Sequence, residues 1–385
     1  MAQPSRRQVI LGAGGAAVLS AGGLYAWRRQ EAGRYDALAE RTYAPAEPAT
    51  GAFPQSHHAL VHYATLAANG HNTQPWRFTL AEREIALTPD FGRRTPVVDP
   101  DDHHLYASLG CAAENLDTAA RASGLRTAVD FAAERIAIGL EPAPAQAGAR
   151  FAAIPRRMSV RADYDGAPAP ATDLRALAAA GGADADIALL TEPAAMERML
   201  ELVVAGNTAQ MADPAFVAEL KHWLRFNRVE AARTRDGLYT GASGNPVMPG
   251  WIADAFFESG FKAEAENDKY AGHVRSSAGL AVIAAHEDSP AGWFAAGRAC
   301  QRFALEAAAR GLKTAFLNQP VEVARFRPDV AALAGFPGRR PDLVMRFGRG
   351  PDLPRSLRRP PEAVIRPAPV ASLAARFRSG SAAPI

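Results

Sequence analysis

Gly110-Cys111-Ala112-Ala113-Glu114-Asn115-Leu116-Asp117-Thr118-Ala119-Ala120-Arg121-Ala122-Ser123-Gly124-Leu125-Arg126-Thr127-Ala128 has a counterpart downstream. It is Gly297-Arg298-Ala299-Cys300-Gln301-Arg302-Phe303-Ala304-Leu305-Glu306-Ala307-Ala308-Ala309-Arg310-Gly311-Leu312-Lys313-Thr314-Ala315. The offset is 187 residues at both glycine pairs (297 − 110 and 311 − 124), with no gap between them. In each copy, apolar residues at helical spacing run into Gly-Leu, then a basic residue and Thr-Ala. A glycine just past the last periodic residue is the usual helix stop, and the residues beyond it read as the start of a strand. The repeat predicts two copies of one fold in a single chain, placed as the subunits of a dimer would be.

Working outward, each copy opens on a short helix, Ala59 to Ala68 in the first and Asp173 to Ala180 in the second. This divides the body into a first half over 55–150 and a second over 151–365, with a tail over 366–385. The second half is longer. Its extra segment, about 197–285, holds helices over Met196–Val204 and Pro214–Arg233, then a turn-rich stretch through Pro249. An insertion of that size reads as a lid or an interface element, or as plain scaffold. The 385 residues are 48% apolar and 22% charged, enough to bury a sizeable core. Glycine (32) and proline (29) break up the alanine-rich helices often, so an α+β body is expected rather than a helical bundle. A net charge of +3 gives no case for a nucleic-acid partner. Cys111 and Cys300 are too few for a disulfide framework and read as small core residues.

The first thirty residues are different in kind. Ser5-Arg6-Arg7-Gln8-Val9-Ile10-Leu11 opens an uncharged Gly/Ala-rich run that ends at Trp27. Paired arginines before a weakly apolar stretch are the features of a twin-arginine (Tat) export signal, so the Tat machinery is an expected partner and the periplasm or another extracytoplasmic space the expected location. The run lacks a clean cleavage site, which leaves a retained anchor helix open. Val9 to Ala17 also mimics a dinucleotide-binding turn, but the following helix is apolar on all sides and no second strand precedes Glu31. Residues 31–54, including Ala44-Pro45-Ala46-Glu47-Pro48, have a linker composition.

The string richest in chemistry is Asn69-Gly70-His71-Asn72-Thr73-Gln74-Pro75-Trp76-Arg77-Phe78. It reads as a helix end, a polar loop, then a strand from Trp76 to Leu80. Gly70 permits close approach of a ligand to the backbone, and the amides of Asn72 and Gln74 both donate and accept. A structural turn before a strand explains the same residues. Downstream, Arg156-Arg157-Met158-Ser159-Val160-Arg161 and Arg355-Ser356-Leu357-Arg358-Arg359 are arginine-rich segments able to clamp a phosphate, or to lie in solvent.

These three segments together resemble the nitroreductase-like FMN-binding family, in its single-chain, Acg-type branch. Asn72-x-Gln74-Pro75-Trp76 is complete, while Asn69 and Gly70 stand where the family often has two serines. Arg157-x-Ser159-x-Arg161 resembles the segment that opens the family's fold, and Arg355 to Ile365 its closing tail. The resemblance spans roughly residues 55–365. It implies two halves, each a mainly antiparallel sheet flanked by helices, forming a pseudo-dimer. It also implies FMN in the crevice between them. Arg157 and Arg161, with Arg358 or Arg359 and Arg355 close by, would hold the phosphate and the pyrimidine edge. Ser159, Asn72, Gln74 and the backbone at Asn69 and Gly70 complete the cofactor set, and Asn318 falls near the reactive flavin nitrogen. Since each motif occurs once, one complete site and one degenerate site are expected in a monomer.

The implied activity is flavin-mediated two-electron transfer to a small nitro, quinone or similar acceptor, from a donor the sequence does not name. A non-catalytic FMN-binding or FMN-sequestering protein is the alternative. Asp99 to His104 carries metal-ligand residue types without zinc spacing, and no metal is expected. Gly241 to Gly244 lacks the context of a nucleophile elbow, and Gly311-Leu312-Lys313-Thr314 ends a helix where a phosphate loop would begin one.

Overall fold

The computed structural model describes residues 29, 33–46, 53, 55–244, 247 and 262–367. Apart from Arg29, the proposed export signal lies outside these residues, as does most of the tail. Among the described residues, no helix is long and apolar enough to cross a membrane.

The first half runs α2 (Gln55–Thr65), β1 (Trp76–Ala81), β2 (Glu84–Pro89), α3 (His103–Ala122), β3 (Leu125–Ala132) and β4 (Arg135–Pro142). Residues 33–43 precede it as helix α1. The second half runs α4 (Ala171–Ala178), β5 (Ala185–Leu190), β6 (Gly279–Ala285), α9 (Pro290–Ala309), β7 (Lys313–Phe316) and β8 (Leu343–Gly348). Between β5 and β6 stand α5 (Pro193–Met211), α6 (Pro214–Trp223), α7 (Arg228–Thr234) and α8 (Ala263–Arg275). Helix α10 (Gln319–Glu322) follows β7, and β9 (Ile365–Arg366) ends the described chain.

The body is α+β, with antiparallel sheets flanked by helices. The first sheet has the order β9-β1-β2-β4-β3 and the second β5-β6-β8-β7. Leaving β9 aside, both read first, second, fourth, third, and both place a twenty-residue helix between the second and third strands. That shared order repeats at the level of topology what the 187-residue offset shows in sequence. In the first half a two-residue turn joins the first two strands, whereas in the second the extra helices occupy this connection. The insertion therefore lies between Leu190 and Gly279. Residues 279–285, expected at its end, are instead a core strand. Their unbroken apolar run, Gly279-Leu280-Ala281-Val282-Ile283-Ala284-Ala285, is buried at every position, as a strand covered on both faces must be. Strand β3, at a sheet edge, alternates in exposure instead.

Helices α3 and α9 form the seam between the halves. Gly124 and Gly311, just beyond their ends, both take the left-handed conformation (φ +78° and +75°), as the Gly-Leu stops predict. At the crossing, a Cβ on Gly110 would come within 2.0 Å of the Phe294 carbonyl oxygen, and one on Gly297 within 1.9 Å of that of Ala107. Polar contacts follow the same rule. Gln301 donates to Asn115 at 2.7 Å, and Arg302 donates to Glu114 at 2.8 Å. Strand β9 then crosses back and pairs in parallel with β1, fastening the end of the second half onto the first sheet.

The linker expectation needs correcting at α1. Tyr35 and Leu38 pack with Ala231, Tyr239 and Leu357, so residues 33–43 belong to the folded body. Their burial of aromatic surface outweighs the linker-like composition that follows them. Tyr35 donates to the carbonyl of Arg355, and Tyr43 to that of Ser356 at 2.7 Å.

Candidate functional site

A cavity of about 560 Å³ opens where the two halves and the insertion meet. Its size lies within the range of small-molecule sites. The first half lines it with Asn69 to Asn72, and the second with Arg157, Ser159, Arg161 and Asn318. Arg358 lines it from the closing segment. Gln74, Arg355 and Arg359 do not line it.

The loop after α2 holds an unusual backbone. His71, Asn72 and Gln74 all have positive φ (46°, 52° and 54°). Left-handed conformations at non-glycine residues cost about 1–3 kcal/mol each and persist only where surrounding structure enforces them. The enforcing contacts come from the insertion and from the closing segment. Asn72 donates to the carbonyls of Gly237 (3.0 Å) and Leu357 (3.1 Å), and its own carbonyl accepts from Gly237 N at 3.1 Å. Gln74, fully buried, donates to the Arg235 carbonyl at 2.8 Å and accepts from Arg359 N at 2.8 Å. Asp236, between those carbonyls, is paired with Arg225 at 2.8 Å and with Arg93. The amides of Asn72 and Gln74 thus clamp the insertion to the first half. The Oδ1 of Asn72 is left buried without a partner among the described residues.

The arginines divide by position. Arg157 and Arg358 are 4% and 7% exposed, and both reach the open carbonyls at the C-terminal end of α2. Arg157 donates to Leu66 O at 2.9 Å, and Arg358 to Thr65 O at 3.1 Å. Neither has a carboxylate partner among the described residues. Burial, with the Arg358 charge adding to it, pushes the Arg157 guanidinium down to about 10. The Nε of Arg157 has no partner among the described residues. Arg161 touches Ser243 of the insertion at 3.4 Å and likewise lacks a carboxylate. Arg359 turns away to the backbone of Gln74, and Arg355 to the Pro155 carbonyl and the Tyr43 ring. Asn318 lines the cavity while its Oδ1 accepts from Val344 N at 2.9 Å. Arg126, in the other half, is an exposed partner of Glu141 on the sheet surface.

Several residues outside the expected cofactor set also line the cavity. Arg346, fully buried on β8, donates to His273 O at 2.7 Å and to Val160 O at 3.0 Å. Its guanidinium lies 3.9 Å from the centre of the Tyr164 ring, so it fixes the segment that carries Ser159 and Arg161. Its one clue was a lone charge in the apolar run Leu343 to Gly348. His71, His104, Tyr270, His273 and Glu322 also face the cavity. Burial, then the Arg161 and His104 charges, lowers His71 to about 4, so its imidazole is neutral.

Ligand atoms of Asp99, His103 and His104 lie within 4.8 Å of one another. Hydrogen bonds account for these residue types. Asp99 accepts from His104 N and Leu105 N at 2.9 Å, and His103 pairs with Asp342 at 2.7 Å. Cys111 and Cys300 are free and buried, as core residues should be, and both also reach the cavity wall.

With this geometry in place, likeness to known proteins is informative. Two Mycobacterium tuberculosis proteins, from different strains, are 29% identical over 301 residues, covering 75% of this chain and 83% of theirs. Both are named as NAD(P)H nitroreductases. The family these names support is the nitroreductase-like one. No protein-family model matches the chain. Among solved structures, a Bacteroides fragilis nitroreductase with bound FMN is 17% identical, with TM-score 0.32, covering 52% of this chain and 88% of its own. A Mycobacterium smegmatis FMN-dependent nitroreductase in complex with NADPH gives 16%, 0.32, 52% and 87% in the same order. A nitroreductase-like family protein from Bacillus cereus gives 14%, 0.32, 60% and 97%.

Proposed function

We propose that the chain is an FMN-dependent reductase that passes two electrons to a small acceptor of the nitro or quinone kind. The observation that carries this reading is the pair Arg157 and Arg358, buried without a carboxylate on the wall of one cavity. Two such charges lose hydration and repel each other, an arrangement that calls for an anion. A phosphate supplies the charge and accepts paired bonds from planar guanidinium forks.

The residues present fit FMN. Among the described residues, Arg157 keeps an unpartnered Nε for an acceptor, and Asn72 a buried unpartnered Oδ1 for a donor. Arg157 and Arg358 would hold the phosphate. Arg161, Ser159, Asn69, Gly70 and Asn72 would meet the polar parts of the ring system, with Asn318 nearby. Bound there, the flavin supplies two-electron chemistry; the protein orients it, sets its electrostatic surroundings and screens it from water. The sequence repeat, the shared strand order and the once-only motifs support a single-chain pseudo-dimer with one complete site. The names of the M. tuberculosis relatives favour a nicotinamide donor. The Arg6-Arg7 segment supports Tat export, and Lys replacements at both positions should leave the protein in the cytoplasm.

The test is the visible spectrum of the purified protein, followed by anaerobic titration with NADH, NADPH and dithionite. A flavin spectrum bleached by a nicotinamide and restored by a nitro compound or quinone is expected. Reduction by dithionite alone would leave an FMN-binding protein without nicotinamide turnover.

A further inference from the structure

Glu322 ends α10, four residues after Asn318, and faces the same cavity. Its side chain is 17% exposed and is approached from two helices. Gln210 of α5 donates to Oε2 at 2.6 Å, and Nδ1 of His104, on α3, lies 3.7 Å from Oε1. The other His104 nitrogen, Nε2, faces the carbonyl of Asp342 at 3.4 Å. A carbonyl only accepts, so the ring proton sits on Nε2 and Nδ1 presents a lone pair to Glu322. Burial raises the Glu322 carboxyl and the Asp99 charge, ahead of α3, adds to it, while His104, the hydrogen bond from Gln210 and Arg161 act the other way. Tyr270 of α8 is a further titratable neighbour, and its phenol is pushed up to about 12, chiefly by burial. The net effect, led by burial, holds the Glu322 carboxyl above its ordinary range.

We infer that Glu322 is the proton donor to the acceptor in this cavity and that His104 relays its replacement. The assignment rests on the reductase reading. A quinone or nitro group that takes two electrons and one proton together from the reduced flavin needs a second proton to become neutral. The Glu322 O–H bond breaks and a new O–H bond forms on the acceptor oxygen. The electron pair stays on the Glu322 carboxylate, where the Gln210 amide stabilises it. A proton from solvent then adds to the lone pair of His104 Nδ1 and passes to the Glu322 carboxylate, which returns the ring to its Nε2–H form. The position of Glu322 on the turn that begins at Asn318 places acid and flavin-side residue on one short segment.

The test uses full-length protein loaded with FMN, reduced with dithionite and mixed rapidly with benzoquinone over a range of pH. Glu322→Gln preserves shape and the contact with Gln210. It should slow quinone reduction about a hundredfold and flatten the pH dependence, without altering FMN affinity. Glu322→Asp should restore part of the rate and the pH dependence. Infrared spectra of flavin-free protein at neutral pH give a readout independent of turnover. Wild type should show a protonated carboxyl band that Glu322→Gln lacks and Asp342→Asn retains. Bound FMN with equal quinone reduction rates in wild type and Glu322→Gln would overturn the role of Glu322, as would an ionised Glu322 at neutral pH. Failure of the wild type to bind FMN would refute the reductase reading itself, and this assignment with it.

Discussion

Gly110 and Gly297 each press against the backbone of the opposite helix, and the two contacts are copies of one another. Gly110 meets Phe294 and Gly297 meets Ala107. The offset from 107 to 294 is the same 187 residues that separates the glycines (294 − 107 and 297 − 110). Gln301 with Asn115 and Arg302 with Glu114 obey the same exchange, since 114 maps to 301 and 115 to 302. A contact of i with j matched by one of j′ with i′ is how an isologous dimer interface is built. Here it occurs inside one chain.

Alanine at either glycine forces the helices apart, because the obstructing atoms are backbone. Gly110→Ala and Gly297→Ala should each destabilise by about 1–3 kcal/mol, as overpacking does. Gly33→Ala, where nothing lies within 4 Å, should stay within about 0.5 kcal/mol. Urea unfolding of the three variants checks this. A silent Gly297→Ala would contradict the close crossing.

Arg157→Ala and Arg358→Ala should weaken FMN binding roughly tenfold to a hundredfold, for loss of a charge-assisted bond of about 1.5–3 kcal/mol. Arg126→Ala, on the exposed surface, should bind as wild type does. Fluorescence titration of flavin-free protein separates this from a purely structural role. If the arginines serve only to cap α2, both variants lose thermal stability and keep their affinity.

The insertion is tied down by a clamp centred on Asp236. Burial alone would raise this carboxyl, but hydrogen bonds from Arg225 and Arg93 hold it below its ordinary value. A depressed carboxyl contributes stability above its unfolded pKa, and that contribution is lost as pH falls through the lower folded value. Asp236→Asn should therefore loosen the insertion at neutral pH and remove its share of the acid-side loss. Limited proteolysis should cut the variant faster between Leu190 and Gly279. Asn72→Ala should do the same, since it releases Gly237 and Leu357 together.

Asp342 and His103 form a pair that burial drives to its neutral form. The carboxyl is raised to about 7 and the imidazole lowered to about 3. A carboxyl raised from its ordinary value of 3.8 contributes stability that is full at acid pH and lost as pH rises through about 7. Asp342→Asn keeps a group able to donate to His103 and to accept from Ala285 N. Relative to this variant, the wild-type Tm should fall between pH 4 and pH 7. Parallel Tm curves would contradict the neutral pair.

The seam was legible in sequence because helical spacing and glycine stops are local, and α3 and α9 were expected close to where they lie. Arg157, Arg161, Arg358 and the 69–72 loop were legible as segments, and the fold brings them to one cavity. What sequence could not show is where amides spend their bonds. Asn72 and Gln74 find partners more than 160 residues away, on a segment whose own pattern is only a turn. Arg355 and Arg359 share the composition of Arg358, yet only burial against α2 separates it from them. Glu322 and His104 meet through tertiary packing across 218 residues (322 − 104), beyond any periodicity.

The most direct test of the account is the amount of flavin held by each chain. Protein loaded with FMN and freed of excess should be denatured by heat, and the released flavin measured against protein concentration. A single set of motifs gathered on one cavity wall predicts one FMN per chain. A ratio of two would contradict the division of one site between unequal halves, and a ratio of zero would contradict the cofactor itself.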